Sequence, residues 1–255
     1  MFRARVPARV HRLTLSALDG AGVRALLLDI EGTTTPIEFV TGVLFPFARA
    51  HVDGFLQAHA NDEGVRSDVA RLRSEHAGDE RARPAPPAWN EEAGAAAYVR
   101  WLMDQDRKST GLKALQGRIW EEGYRSGAIQ GDLYPDVPAA FARWRRQGRD
   151  IAIFSSGSVR AQKLLFAHTP AGDLTPFLCA YFDTTTGPKR EARSYTAIAG
   201  TLGLPAAEAL FLSDVVEELD AARAAGMATG LCVRAGEPPA GATHAVVYTF
   251  DDVCP

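Results

Sequence analysis

The chain has 255 residues, of which 46% are hydrophobic, so it can bury a sizeable core and form one large or two modest domains. Its formal net charge of −3 provides no basic surface for nucleic acid or for an anionic membrane. No apolar run approaches the roughly 20 residues needed to cross a bilayer. We therefore expect neither nucleic acid nor a membrane as a partner.

The cysteines and the first residues of the chain indicate the cellular compartment of the protein. Cys179, Cys232 and Cys254 are odd in number and far apart, so neither a disulfide framework nor a zinc site is expected. Residues 1–14 carry four arginines and no acid, but this segment is short and lacks the clear amphipathic pattern of a transit sequence. We predict a cytoplasmic protein in which residues 1–20 form a plain amino-terminal extension.

Five short apolar runs predict the strands of a buried parallel sheet. They lack the alternation of half-exposed strands, as expected where helices cover both faces of a sheet. The runs span residues 25–28, 151–154, 178–182, 209–212 and 229–233. Helical patterns follow most of them, and this alternation predicts an α/β fold with a doubly wound parallel, Rossmann-like sheet.

Several residues indicate where the helices of this sheet begin and end. Asp136 is predicted to cap a helix with Pro138 in its first turn, and Ser194 is predicted to cap another. A further helix over 215–225 should end at Gly226, which is a natural helix stop.

The alternation of strands and helices is interrupted once, after the first strand. Between about residues 41 and 131 there are several helical patterns and no convincing strand. Within this region, residues 76–89 are rich in proline and charge and predict an exposed loop. The simplest organisation is a core of residues 21–40 and 131–255, with a helical cap domain of residues 41–130 inserted after the first strand.

Polar residues follow four of the predicted strands. In an open parallel sheet, ligands bind beyond the carboxyl ends of the strands, so these residues are candidates for one shared site. They are Asp29 and Glu31 after the first strand, Ser155, Ser156 and Gly157 after the second, Lys189 after the third and Asp214 after the fourth. Each alone is more often an ordinary cap, turn residue or solvated side chain. Their joint placement at one edge of the sheet indicates a site.

Phosphoryl transfer accounts for the acids and the lysine in this set. A phosphate dianion repels an approaching carboxylate, so a metal ion and a cation must offset the charge. The carboxylates of Asp29 and Asp214, with the main-chain carbonyl of Glu31, are hard oxygen ligands suited to Mg²⁺. Lys189 can neutralise the remaining phosphoryl oxygens as a point charge.

The turn after the second predicted strand supplies a phosphate-binding element. The hydroxyl of Ser155 and the amides of Ser156 and Gly157 are predicted to open a helix. The partial positive charge at the start of a helix favours a phosphate group. We therefore predict that these three residues bind the substrate phosphate together with Lys189.

The order of these residues resembles that of the haloacid dehalogenase-like superfamily. In that superfamily the first motif supplies a nucleophilic Asp and a second acid two residues later, and later motifs supply a Ser or Thr, a Lys and a metal-binding Asp. The residues that fall on those positions are Asp29, Glu31, Ser155, Lys189 and Asp214. The superfamily usually has Asp at the second acid position, where this chain has Glu31.

Longer stretches resemble the enolase-phosphatase family of methionine salvage. That family characteristically carries the sequence DIEGTT, which this chain has at residues 29–34. The similar stretches span residues 26–48, 112–127, 153–166, 182–195 and 211–226. One of them lies in the inserted region, where other members of the superfamily would not match.

The resemblance implies a Mg²⁺-dependent enzyme that enolises 2,3-diketo-5-methylthiopentyl-1-phosphate and then removes phosphate to leave an acireductone. Asp29 would attack phosphorus to form an aspartyl phosphate, which water hydrolyses. Glu31 would protonate the leaving oxygen and later activate that water. We expect a monomer with a small phosphate ester as substrate, in which the cap closes over the crevice and excludes water.

Two other functions remain open on the sequence. The first is a haloacid dehalogenase-like phosphatase acting on another small phosphate ester. The second is a receiver-type signalling module, whose strand-end Asp is phosphorylated to switch a partner. Such modules are much shorter, lack a helical insert and usually carry an acidic pair in place of DIEGTT. Continuous phosphate release would indicate an enzyme, and a single stable phosphorylation would indicate a switch.

Overall fold

The computed structural model describes residues 18–90, 94–107 and 109–255. Most of the predicted amino-terminal extension lies outside these described residues. The chain divides into two compact units by its internal packing. A sheet unit combines the amino-terminal part up to Ile37 with Gly131–Pro255, and a helical unit spans Glu38–Gln130.

The described residues of the helical unit form a short helical segment followed by four longer helices. The short segment consists of Ile37–Phe39, which begins at the unit boundary, and a π-helical turn over Val40–Leu44. The helices are α1 (Phe45–Ala58), α2 (Glu63–Asp79), α3 (Gly94–Asp104) and α4 (Thr110–Ser126). Their buried apolar side chains, among them Val52, Leu72, Tyr98 and Leu115, form the interior of this unit. The described part of the unit contains no strand.

The prediction of an exposed loop from residue 76 is wrong for its first four residues. Helix α2 continues through Asp79, and His76 within it is buried. The imidazole Nε2 of His76 lies 2.8 Å from the carbonyl of Pro87, and its ring meets Trp89 and Tyr98 edge-on. Only two of the four buried residues of this helix, Val65 and Leu72, are apolar, so its buried face is not visible as a hydrophobic pattern.

The sheet unit contains a six-stranded parallel sheet. Its strands are β1 (Ala25–Leu28), β2 (Asp150–Phe154), β3 (Ala180–Phe182), β4 (Ala209–Ser213), β5 (Ala228–Cys232) and β6 (Ala245–Val247). They lie in the order β3-β2-β1-β4-β5-β6, and all neighbouring pairs are parallel. The chain runs outward from β1 to β3 and then returns to β4 on the other side of β1. This confirms the predicted doubly wound sheet, whose strand order reverses between β1 and β4.

Helices cover the sheet and bury its side chains. They are α5 (Val137–Arg146), α6 (Val159–Ala167), α7 (Ala192–Leu202) and α8 (Val216–Ala224). Tyr195 of α7 and Leu219 of α8 pack with Leu27 and Phe211 in one core cluster. Trp144 of α5 is fully buried outside that cluster. Among the described residues, no helix is both long and apolar enough to span a membrane.

Two predicted helix caps have other roles in the structure. Asp136 occupies the position before α5 but caps nothing with its side chain, because its carboxylate binds Arg234 with a 2.6 Å ion pair. Ser194 lies inside the first turn of α7, which begins at Ala192. Its hydroxyl donates to the carbonyl of Pro188 at 2.7 Å, so it holds the preceding loop instead of opening the helix.

Candidate active site

Asp29 is fixed at the carboxyl end of β1 by the loop that follows it. The amide of Ile30 donates to Asp29 Oδ1 at 2.7 Å, and the Ile30 carbonyl accepts from the amides of Thr33, Thr34 and Thr35. This compact turn buries the three threonines and leaves Asp29 only 5% exposed. A buried carboxylate in a hydrogen-bonded turn has a defined orientation, as a nucleophile requires.

Gly32 is required in this turn for two reasons. Its φ of +66° lies in the left-handed region. A Cβ atom at this position would also lie 2.2 Å from Asp214 Oδ2. The carboxylate of Asp214 therefore packs directly against the main chain at Gly32.

Lys189 joins the loop after β3 to Asp29. Its ammonium nitrogen lies 2.7 Å from Asp29 Oδ1 and 2.6 Å from Glu218 Oε2. Burial opposes the charge of Lys189, but Asp29 and Glu218 outweigh it and raise the pKa of the ammonium above its ordinary value. Lys189 is thus a cation held between two carboxylates.

Glu218 was not among the residues predicted from the sequence. It lies in the first turn of α8, and the Ser213 hydroxyl at the end of β4 is 3.1 Å from Glu218 Oε2 and 3.4 Å from Asp29 Oδ2. The sequence signal was weak, because Glu217 and Glu218 form an ordinary acidic first turn. Only the burial of Glu218 beside the exposed Glu217 distinguishes it.

The cluster contains more acids than bases. Burial and the neighbouring Asp29 raise the pKa of Glu31, to which the charges of Asp214 and Glu218 also contribute. Partial burial and Asp29 likewise raise the pKa of Asp214 to about 6. Four carboxylates thus interact around one ammonium, and this excess of negative charge favours a bound cation.

The turn after β2 is organised differently from the prediction. Helix α6 begins at Val159, with Ser158 as its cap, so residues Ser155 to Gly157 precede the helix and do not open it. Ser155 is buried, its amide donates to the carbonyl of Phe182, and its hydroxyl accepts from the amide of Gly157 at 3.1 Å. The hydrogen bonds of Ser155 thus join this turn to β3. Among the described residues, Ser155 makes no hydrogen bond to Asp29.

Similar proteins identify the family to which this chain belongs. The sequence model of the haloacid dehalogenase-like hydrolases matches residues 23–226. The Enolase-phosphatase E1 of Synechococcus elongatus is 51% identical over 232 residues, which cover 91% of this chain and 98% of that protein. The Enolase-phosphatase E1 of Pseudomonas aeruginosa (strain UCBPP-PA14) is 48% identical, with coverage of 91% and 98%. The chain belongs to the enolase-phosphatase family of haloacid dehalogenase-like hydrolases.

A solved structure with the same fold supports this membership. The crystal structure of the UTR4 protein from Saccharomyces cerevisiae has a TM-score of 0.75 and 34% sequence identity to this enolase-phosphatase family member. The similarity covers 90% of this chain and 99% of that one. It therefore spans both the sheet unit and the helical unit.

Phosphatases of the haloacid dehalogenase-like family generally use Mg²⁺, and the residues of this family member fit that ion. Asp29 and Asp214 repel each other, and the Asp214 carboxylate lies against the main chain at Gly32, the residue that follows Glu31. These are hard oxygen donors of the kind that Mg²⁺ prefers. No cluster of three His, Cys, Asp or Glu side chains suited to a metal occurs in the described parts of the chain. The predicted set has only two carboxylate side chains, and its third ligand is a main-chain carbonyl. It therefore supplies oxygen donors for Mg²⁺ without a cluster of three ligand side chains.

Arg234 holds the turn after Asp29 in this family member by hydrogen bonds to its main chain. It lies two residues beyond β5, and its Nε and Nη2 atoms donate to the carbonyl of Thr33 at 2.9 and 2.6 Å. Its guanidinium also pairs with Asp136 and stacks over the rings of Tyr134 and Phe250, at 4.5 and 4.2 Å from their centroids. The same inspection of strand ends that found the other candidates, extended to the fifth strand, would have found Arg234.

Proposed function

We propose that this chain is a Mg²⁺-dependent enolase-phosphatase that converts 2,3-diketo-5-methylthiopentyl-1-phosphate to 1,2-dihydroxy-3-keto-5-methylthiopentene and phosphate, in methionine salvage. The observation that carries the proposal is the buried Asp29 carboxylate held against the Lys189 ammonium at 2.7 Å. This pair supplies a nucleophile for phosphorus and a cation for the phosphoryl oxygens at the same point. The 51% identity to an Enolase-phosphatase E1 supports the choice of substrate.

In this proposal Asp29 attacks phosphorus and breaks the bond between phosphorus and the substrate oxygen. The leaving oxygen takes a proton from Glu31, and the phosphoryl group remains on Asp29 as an acyl phosphate. Water then attacks that phosphorus and gives a proton to Glu31, while the bond between phosphorus and the Asp29 oxygen breaks. Inorganic phosphate leaves, and both side chains return to their starting states. Burial and the neighbouring Asp29 raise the pKa of Glu31, as the general-acid role requires.

Lys189 offsets the repulsion between the carboxylate of Asp29 and the incoming dianion. Ser155, Ser156 and Gly157 are proposed to contact the phosphoryl oxygens from the turn after β2. Asp29, Asp214 and the carbonyl of Glu31 would hold Mg²⁺, which supplies further positive charge to the phosphoryl group when bound.

Enolisation requires a base near the carbon beside a carbonyl. Glu31 is the candidate for this role, since its side chain is one methylene longer than the Asp usual in the superfamily. Glu31→Gln should then slow both enol formation and phosphate release. If another group is the base, only phosphate release is slowed.

The experiment that tests the proposal separates the two reactions. Asp29→Asn at saturating Mg²⁺ should form the conjugated enol, detected by ultraviolet absorbance, and then stall with less than a few per cent of the wild-type phosphate release. The amide is a poor nucleophile but keeps one oxygen for the metal. A metal-free sample of each protein is the control.

Two outcomes would contradict the proposal. Substantial phosphate release by Asp29→Asn would remove Asp29 as the nucleophile. If wild type hydrolyses other phosphorylated metabolites but neither enolises nor hydrolyses the diketone phosphate, the chain is a phosphatase with another substrate.

The predicted cytoplasmic location and monomeric state belong to the same proposal. None of the three cysteines forms a disulfide, which is typical of a reducing compartment. Size-exclusion chromatography of the full chain would test the monomer.

A further inference from the structure

Two adjacent hydroxyl groups of α7 hold the main chain at Lys189. Ser194 Oγ donates to the carbonyl of Pro188 at 2.7 Å, and the Tyr195 hydroxyl donates to the carbonyl of Lys189 at 2.6 Å. Both residues are almost completely buried, with 1% and 0% exposure. Two successive carbonyls of the loop are therefore fixed by two successive side chains of a helix.

The ring of Tyr195 is itself fixed by the sheet. Its centroid lies 5.6 Å from that of Phe154 and 5.0 Å from that of Phe211, at angles of 79° and 56°. Phe154 is the last residue of β2, and the ammonium of Lys189 lies 5.8 Å from its ring centroid. The tyrosine thus connects the packed core directly to the main chain of Lys189.

The loop is also shaped to receive these hydroxyls. Gly187 has a φ of +145°, and a Cβ atom there would lie 2.4 Å from Ser194 Oγ. The loop therefore approaches α7 as closely as only glycine allows. Burial, together with the charges of Glu218 and Asp29, raises the pKa of Tyr195, so its hydroxyl stays protonated and remains a donor.

We propose that Tyr195, assisted by Ser194, is a positioning residue that holds the main chain of Lys189 so that its ammonium is placed for phosphoryl transfer. The inference rests on the proposed function of Lys189. Neither hydroxyl binds Asp29 or Glu218, so their effect on the reaction passes through Lys189.

The first test is the variant Tyr195→Phe, which keeps the ring and removes only the hydroxyl. Loss of one neutral hydrogen bond should lower kcat about fivefold, with KM unchanged within about twofold. Adding Ser194→Ala should deepen the loss to tenfold or more.

The chain offers a matched control in Tyr181→Phe. The Tyr181 hydroxyl, on β3, is buried and has no hydrogen-bond partner among the described residues. Its removal should leave kcat unchanged. A wild-type kcat for Tyr195→Phe would overturn the proposal.

A double-mutant cycle separates positioning from a merely structural role. In a Lys189→Ala background there is no ammonium to place, so Tyr195→Phe should change kcat by less than twofold. If the same fivefold loss appears in both backgrounds, Tyr195 acts through the fold and the proposal is wrong. Thermal unfolding of each variant shows how much of the decrease in kcat results from a less stable fold.

The cycle should be run on the diketone phosphate and on p-nitrophenyl phosphate. A chain that hydrolyses only the second compound contradicts the proposed substrate, yet still reports whether Tyr195 and Lys189 are coupled. Additive losses on the second compound would overturn the positioning role alone.

Discussion

Two groups of interacting charged side chains in the sheet unit differ in their ratio of acids to bases. Asp136 and Arg234 form a pair of one acid and one base, and the other donors of Arg234 are used by main-chain carbonyls such as that of Thr33. The cluster around Lys189 combines one ammonium with the carboxylates of four acids. These acids are Asp29, Glu31, Asp214 and Glu218.

The difference separates a structural role from a chemical one. The acid and the base of the balanced pair neutralise each other, and Arg234 also donates to the carbonyl of Thr33, so the contribution of the pair is to fix the Asp29 turn. A cluster with excess negative charge is destabilised by repulsion and by burial until a cation or a proton offsets it. Both groups consist of acidic and basic side chains. The ratio of acids to bases determines whether a group stabilises the fold or binds a further ion.

The largest effect on stability is expected from breaking the balanced pair. Arg234→Met leaves Asp136 buried without its cation and should cost about 3–5 kcal/mol of the free energy of unfolding. The measurement is denaturant unfolding of the full chain.

The exposed pair of Arg145 and Asp150 provides the control. These side chains are 40% and 51% exposed, so Arg145→Met should cost less than about 1 kcal/mol. If both variants lose the same free energy of unfolding, burial does not make the Arg234 pair more important for stability than an exposed pair.

The next largest effect is expected from removing the single cation of the unbalanced cluster. Lys189→Ala should lower phosphate release about 10²-fold, because a preorganised charge is lost next to the nucleophile. The exposed Lys163, which lies over the ring of Tyr181 in the same unit, is the control, and Lys163→Ala should keep full activity. Activity of Lys189→Ala within about threefold of wild type would place Lys189 outside the reaction.

The smallest effect is expected from removing one of the excess acids. Asp214→Asn relieves repulsion with Asp29, so in EDTA it should unfold at the same temperature as wild type or a higher one. Addition of Mg²⁺ at about 100 times its Kd should stabilise wild type by about 2.7 kcal/mol and the variant by much less. Equal stabilisation of both proteins by Mg²⁺ would remove Asp214 from the metal site.

Local apolar runs were sufficient to predict most of the sheet. The run at residues 25–28 coincides with β1, and the runs at 151–154 and 209–212 differ from β2 and β4 by one residue each. Strand β6 was missed, because Ala245–Val247 is only three residues long and follows a segment rich in glycine and proline. A short edge strand has no pattern of its own and depends on pairing with β5.

The site could be predicted in part because its residues follow the strands. Asp29 and Asp214 directly follow strands that the sequence reveals, and Lys189 lies in the loop after another such strand. Glu218 and Tyr195 could not be found in this way, because they lie on helices and reach the site only through the packing of those helices. The catalytic roles assigned to these side chains stay predictions until the variants are measured.

The cysteines give one practical consequence of the parallel sheet. None of the three forms a disulfide, and only Cys179 is exposed, whereas Cys232 and Cys254 are buried. Cys179 immediately precedes β3 and its amide binds the carbonyl of Ile151, near the amino end of β2. In a parallel sheet this end lies opposite the carboxyl ends that bear Asp29. A maleimide dye should therefore attach to the native chain at one defined point, remote from the chemistry, and tether or track the enzyme without an engineered thiol.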